Sequence, residues 1–416
     1  MRDTKSSDAY DVVIIGAGPA GTSLALALAP TDRKVLIVEQ ARFPRFHIGE
    51  SLTGQCAETL ESYGLGKYMA ETAYPVKRGV TVHGQKESAK FWVPVQRRGT
   101  DGEPFQRTTW QVRRKEFDLK LLESAIERGA EFTQASADNI LGSAFKPSGI
   151  KITDRDGRHR NIHSKIIADA SGQSQFLGRQ NVLGPMGDAG YDKQIAIFAH
   201  VAGAQLDEVP HQGNTHIFYG KTFHWSWLIP QDEVTDSLGV VIPVDVYKSS
   251  GLSKEAFFRK AIHDINPELT RRTQSIDIVS PVRSISNYSY RYPNPAGHGF
   301  ICTGDSHGFL DPIFSFGVTI ALKEGEIAAR EVEAYLQADG EYDFDSYRLK
   351  IRQAREVVQL IIDTFWQYPL AFLRLAHFSH QADIAELFYG RFYEDTTLEL
   401  EAVKLMRELL GREASP

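Results

Sequence analysis

Three features of the 416-residue sequence predict an α/β fold built in three parts. They are an apolar strand running into a glycine-rich turn and a helix near the N-terminus, alternating apolar and polar segments through the middle, and an aromatic-rich helical end. The length accommodates two or three domains with substantial cores, and 42% hydrophobic with 24% charged residues is the composition of a globular chain. Lys plus Arg number 47 and Asp plus Glu 53, leaving a formal charge of −6. With no basic block, this excludes nucleic-acid binding driven by phosphate neutralisation. Two cysteines, Cys56 and Cys302, exclude a disulfide scaffold and a multi-cysteine metal site. They read as buried small hydrophobes in a reducing cytoplasm, and no metal is expected. No apolar run approaches the roughly 18 residues of a membrane span, and residues 1–10 hold no signal-peptide core. A soluble, cytoplasmic enzyme is the expectation.

The first element is the strand Asp11-Val-Val-Ile-Ile15, which leads straight into Gly16-Ala-Gly18-Pro-Ala-Gly21. A helix over 22–29 and a second apolar strand, Lys34-Val-Leu-Ile-Val38, follow, and that strand ends at Glu39. Strand, G-x-G-x-x-G turn, helix and an acid about 20 residues on together make a Rossmann-like dinucleotide-binding unit. Gly16 permits the tight turn, and Gly18 lets the backbone approach a pyrophosphate at the helix N-terminus. Gly21 lets the helix pack against the strand. Glu39 is placed to accept both hydroxyls of an adenosine ribose. The pattern by itself does not separate a nicotinamide from a flavin dinucleotide.

Four later segments do. Phe43-Pro-Arg-Phe-His-Ile-Gly-Glu-Ser-Leu52, Gln111-Val-Arg-Arg-Lys-Glu-Phe-Asp118 at a helix start, Ile166-Ile-Ala-Asp-Ala-Ser-Gly172 and Gly299-Phe-Ile-Cys-Thr-Gly-Asp305 occur in that order. With the first unit they resemble the flavin-dependent halogenases and their aromatic-hydroxylase-type relatives. The resemblance implies a Rossmann-like FAD-binding domain of the aromatic-hydroxylase type. It implies FAD held by Gly16, Gly18, Ala20, Gly21, Glu39, Ser51, Arg114, Asp305, Pro312, Gly317 and Val318. Trp225-Ser-Trp-Leu-Ile-Pro230 matches the halogenase pattern W-x-W-x-I-P. On a strand the two tryptophans share a face, so Trp225, Trp227 and Pro230 are expected to wall a passage between flavin and substrate. Phe309-Leu-Asp-Pro-Ile-Phe-Ser-Phe-Gly317 is similar to the family's F-x-x-P-x-x-S-x-G segment and precedes a helical run. The backbone N–H groups of Phe316 and Gly317 there imply a nest for chloride or bromide. Tyr74-Pro-Val-Lys77-Arg-Gly79 is similar to the P-x-K-x-G segment of phenol halogenases. It implies Lys77 as the catalytic amine, desolvated so that free base is available, with Arg78 turned the other way to the surface.

The implied reaction starts from reduced FAD supplied by a separate NAD(P)H-dependent flavin reductase. Flavin hydroperoxide, formed with O₂, and halide give hypohalous acid, and Lys77 relays the halogen to an electron-rich aromatic. Phe314 stands where tryptophan halogenases carry a substrate-side Glu. That favours the phenol and pyrrole branch, with a small aromatic substrate, free or carrier-protein-tethered, from secondary metabolism such as antibiotic biosynthesis; Phe314 is expected on the substrate side. Asp305 is followed by Ser306-His307 in place of the usual two alanines, and His307 is expected as a hydrogen-bonded structural histidine. The stretch Gly79-Val-Thr-Val-His-Gly84 lacks the family's tryptophan. Alternation in 75–110 and 190–245 predicts an antiparallel β substrate domain inserted into the flavin domain. Phe365, Trp366, Tyr368, Phe372, Phe378, Phe388, Tyr389, Phe392 and Tyr393 mark a C-terminal helical segment that caps the substrate side, without the basic face of a membrane-surface helix. The expected division is 9–74 with 107–185 and 280–342 for the discontinuous FAD-binding domain, 75–106 with 186–279 for the substrate sheet, and 343–416 for the cap. An FAD-dependent aromatic monooxygenase and a geranylgeranyl-reductase-like flavoprotein are the alternatives on the same fold.

Overall fold

A computed structural model describes residues 9–99, 101–187, 190–191, 193–286 and 289–412. Residues 1–8, included in the reading for a leader, and 413–416, the end of the expected cap, lie outside the described residues. The first sheet is parallel where it matters for the site. Ala9–Ile15 lies between Val35–Glu39 and His159–Asp169; Glu131–Ser143 extends one side and Phe300–Cys302 the other. All five residues of Val35–Glu39 are buried, as expected of a strand covered on both faces. Beyond this core, Glu131–Ser143, Lys146–Asp154 and His159–Asp169 pair again as an antiparallel meander. Helix Pro19–Leu28 starts at Gly18 with proline in its first turn, and packs against the long helix Gly317–Gln337. A Cβ at Gly325 would lie 2.6 Å from the Ala20 carbonyl oxygen, so this approach requires glycine.

The second sheet runs Asp277–Ile278, Gln194–Ala202, Asp236–Pro243, Trp225–Pro230, Thr215–Tyr219, Gly79–His83, Phe91–Pro94, with Arg283–Ser286 also on Gln194–Ala202. Two details depart from expectation. Gly79–His83 pairs parallel with Thr215–Tyr219, because these strands come from separate chain segments and no hairpin joins them. Arg283–Ser286, assigned above to the flavin domain, belongs to this sheet. Alternation along each strand gives the sheet two different faces. Ile197, Leu228, Leu238 and Val240 pack under helix Lys254–Asp264 through Phe257, Phe258 and Ile262. Ala196, Phe198, Ile217, Trp225 and Trp227 face the first sheet, and the site lies between.

The C-terminal segment is helical, with Asp345–Gln367, Gln381–Tyr389 and Glu401–Leu409 as its main elements. It docks through aromatic rings: Phe314 has Phe365, Phe372 and Phe388 at 5.2, 5.9 and 4.9 Å between ring centroids. Phe378 and Tyr368 are left on the surface instead. No helix among the described residues is long and apolar enough to cross a membrane.

Candidate active site

A cavity of about 610 Å³ opens between the two sheets. Its first wall is built by the glycine turn. Gly16 has φ +105°, and a Cβ there would meet the Ala170 carbonyl oxygen at 2.4 Å. A Cβ on Gly21 would meet the Gly16 oxygen at 2.0 Å, so Gly21 serves the packing of the turn and does not line the cavity. Gly18, Ala20 and Glu39 do line it. The Glu39 carboxylate accepts from the Ala17 N–H at 3.1 Å and the Ala41 N–H at 2.7 Å, which fixes it at the strand end with lone pairs left for a ligand.

Arg114, at the start of helix Arg114–Glu127, lines the middle of the cavity, but its donors are largely spent. Nε and Nη2 donate to both oxygens of Asp118, one helical turn on, at 2.6 and 2.9 Å. Nη1 donates to the carbonyls of Ile48 and Gly49 at 2.8 and 3.0 Å. Arg114 therefore shapes the 48–51 segment as much as it faces a ligand. Asp305 also lines the cavity, and its carboxylate accepts no hydrogen bond from the described residues. Burial pushes its carboxyl up to about 7, against the pull of Arg355. His307 lies behind it, outside the cavity. Its Nε2 is 3.0 Å from Glu324, whose other partners are the Gly304 N–H at 2.6 Å, the Tyr393 hydroxyl at 3.1 Å and Arg355 at 3.4 Å. Burial holds this imidazole below its usual range, and its bond to Glu324 keeps it off the cavity wall.

Pro312, Gly317 and Val318 line the cavity where helix Gly317–Gln337 begins. The helix leaves the N–H groups of its first turn without intrahelical acceptors. A Cβ built on Gly317 would meet nothing within 4 Å, so no protein atom demands glycine there. The open space at Gly317, the unpartnered Asp305 carboxylate and the Glu39 anchor fit FAD lying along this cavity. Phe316 and Phe314 turn away from it: Phe316 packs against Phe388 and Phe392, and Phe314 lies in the aromatic cluster under the cap. Phe314, expected on the substrate side, is buried against three rings of the cap.

From the second sheet come Phe198, Ile217, Trp225, Trp227 and Ile229; Pro230 ends the strand outside the cavity. The tryptophan rings are 5.8 Å apart on one face. Trp227 lies across Gly239 of the neighbouring strand, where a Cβ would come within 2.2 Å of the indole, and donates from Nε1 to Ser237 at 3.1 Å. Lys77 is 2% exposed and stands one layer behind the cavity wall. Its amine donates to Ser51 Oγ and to the Leu52 carbonyl, each at 2.8 Å. Ser51 lines the cavity and is hydrogen-bonded at 2.8 Å to Thr215, which accepts from Gln111 at 2.9 Å. No carboxylate among the described residues pairs with Lys77, and burial pulls its ammonium down to about 7. Arg78, its neighbour, is exposed.

Sequence reasoning missed three pairings: Arg114 with Asp118, His307 with Glu324, and Glu50 with His200. Asp118 was legible as a residue four positions beyond Arg114 on a helix. Glu324 and the pair Glu50–His200, 2.8 Å apart, carried no pattern of their own. Among the described residues no group of His, Cys, Asp and Glu is arranged to hold a metal ion.

Residues 9–359 match the family of FAD binding domains. The 1H-pyrrole-2-carbonyl-[peptidyl-carrier protein] brominase of Pseudoalteromonas luteoviolacea is 37% identical, the match covering 89% of this chain and 88% of that protein. The 1H-pyrrole-2-carbonyl-[peptidyl-carrier protein] chlorinase of Pseudomonas fluorescens is 29% identical over 97% and 93% of the two chains. The solved structure of the flavin-dependent brominase Bmp2 superposes with a TM-score of 0.89 at 34% identity, covering 97% of this chain and 98% of that one.

Proposed function

The chain belongs to the FAD-binding flavin-dependent halogenases, in their phenol and pyrrole branch, and from that premise we propose that it halogenates a pyrrole-type ring carried as a thioester on a peptidyl-carrier protein, with Lys77 as the halogen relay. When bound, reduced FAD delivered by a separate flavin reductase supplies, with O₂, the oxidising equivalents that turn halide into hypohalous acid. The rest is the work of side chains. Gly16, Gly18, Glu39, Asp305 and Gly317 hold the dinucleotide against the first sheet, and the N–H groups at Phe316 and Gly317 hold halide at the helix start. Trp225 and Trp227 exclude water and keep the ring away from the flavin. Lys77 Nζ, as free base, takes the halogen from hypohalous acid with release of water, then gives it to the ring carbon, whose proton returns to the amine.

One observation carries the role of Lys77: a buried amine with no carboxylate partner among the described residues, brought to about 7 and hydrogen-bonded to a serine of the cavity wall. The pyrrolyl-carrier substrate is supported by the two relatives named above, and an electron-rich ring of that kind needs little further activation. Lys77→Ala should keep FAD affinity and flavin reoxidation while halogenated product vanishes and hypohalous acid reaches an external scavenger. Lys77→Arg should be nearly as poor, because a guanidinium offers no free amine near neutral pH. The measurement is product mass with pyrrolyl-carrier protein in the presence and absence of bromide or chloride. Full halogenation by Lys77→Ala would remove the relay, and product independent of halide would make the protein a hydroxylase.

A further inference from the structure

Oxidation of halide consumes a proton. Reduced flavin (FADH₂), O₂, halide and one H⁺ become FAD, hypohalous acid and water, so each turnover must bring one proton to the place where halide is oxidised. Glu50 and His200 connect the two sides. Glu50 lies in the cavity wall between Gly49, which Arg114 anchors, and Ser51, which Lys77 anchors. It is 2% exposed; Oε1 is 2.8 Å from His200 Nε2, and Oε2 is buried with no hydrogen-bond partner among the described residues. The segment is pinned at the backbone by Val112 N–H donating to the Glu50 carbonyl at 2.7 Å, so the carboxylate has a defined place.

His200 lies on strand Gln194–Ala202, two residues beyond Phe198 and four beyond Ala196, both of which line the cavity. Alternation puts all three on one face. Unlike them, His200 is at the rim: its side chain is 27% exposed, with the Phe46 ring edge-on at 5.9 Å. Nε2 is thus committed to Glu50 while the ring reaches solvent. Cations flank the segment: Arg114 donates to the Gly49 carbonyl, Lys77 to Ser51 Oγ, and Arg283 stacks over Phe46 at 4.3 Å. Asp236, opposite Val201, is on the other face of the sheet.

We propose that His200 and Glu50 form a proton relay from solvent to the flavin cavity. The proposal rests on the halogenase reading above. Glu50 passes a proton from Oε2 to the oxygen that leaves as water. Oε1 takes the proton of His200 Nε2, and Nδ1 is reprotonated from solvent. Only N–H and O–H bonds form and break, and no electrons move along the pair.

The test uses the full chain loaded with reduced FAD, mixed with O₂ and bromide, with hypobromous acid trapped and FAD affinity measured in parallel. Glu50→Gln keeps the side-chain shape and should bind FAD within about twofold of wild type, but lose about tenfold or more in hypobromous acid per flavin oxidised. His200→Ala should lose as much and recover with added imidazole, a response that a merely structural clamp would not show. His200→Gln, which retains a donor to Glu50 but cannot relay, should fail without rescue. Wild-type yield from Glu50→Gln or His200→Gln, or a His200→Ala deficit that imidazole leaves untouched, overturns the relay. Absence of hypobromous acid from the wild type overturns the halogenase reading, and the relay with it.

Discussion

Lys77 differs from Arg114 and Arg355 because, among the described residues, nothing of opposite charge pairs with it. Arg114 has Asp118 and Arg355 has Glu324, each at salt-bridge distance, whereas Lys77 has a hydroxyl and a carbonyl. Desolvation therefore acts on it almost unopposed and brings its ammonium from 10.5 to about 7. The folded value lies below the unfolded one, so between about pH 7 and 10.5 the unfolded chain binds more protons and stability rises with pH. The penalty is fully present below pH 7. Lys77→Met should melt higher than wild type at pH 6, by a few kcal/mol at about 1.4 kcal/mol per pH unit of displacement. The gap should close as pH approaches 10. Thermal unfolding across that range checks it, and a gap independent of pH would mean that the amine is not desolvated. The same residue in a sequence is one lysine among many; only the P-x-K-x-G resemblance singled it out.

At the scale of elements, two contacts separate what the fold needs from what the ligand needs. Gly317 begins a 21-residue helix with open space where a side chain would go. Gly317→Val should change stability by no more than about 1 kcal/mol, the ordinary propensity range, yet weaken FAD binding at least tenfold, read by flavin fluorescence titration. Unchanged affinity would put the flavin elsewhere. Gly239 is the opposite case, because a Cβ there collides with Trp227. Gly239→Ala should displace the indole and destabilise by about 1–3 kcal/mol, as overpacking does, with more hypohalous acid escaping per turnover. A crystal structure of that variant with Trp227 unmoved would contradict this. The W-x-W spacing told of a shared face but not of the glycine beneath one ring, since cross-strand partners depend on register.

Across the whole molecule, the cap is tied to the flavin site through one buried charged cluster. Arg355, on cap helix Asp345–Gln367, donates to the carbonyls of Gly308 at 2.7 Å and Gly304 at 3.0 Å and approaches Glu324 at 3.4 Å. Glu324 in turn accepts from the Gly304 N–H beside Asp305. Arg355→Met would take the guanidinium from Glu324 and leave it, among the described residues, only His307, Tyr393 and the Gly304 N–H, a loss of up to about 3–5 kcal/mol for breaking a buried pair. It should also weaken FAD binding, through the slackened Gly304–Ser306 turn. Denaturant unfolding with and without FAD measures both, and a variant that loses stability while keeping its FAD affinity would uncouple cap from site.

Local chemistry determined the parts of this protein that local sequence can encode. A strand, a glycine turn, a helix and an acid within about 30 residues specify a dinucleotide site, so Gly16, Gly18 and Glu39 were legible. The W-x-W strand was legible for the same reason, because period-two alternation is a property of the strand itself. Tertiary structure decided the rest. It packed Phe314 against three cap rings more than 50 residues away in sequence. It joined Glu50 to His200 and His307 to Glu324, and it placed Arg283–Ser286 in the second sheet. Such pairings depend on which strands and helices meet, and a polar residue waiting for a distant partner looks the same in sequence as one that faces water.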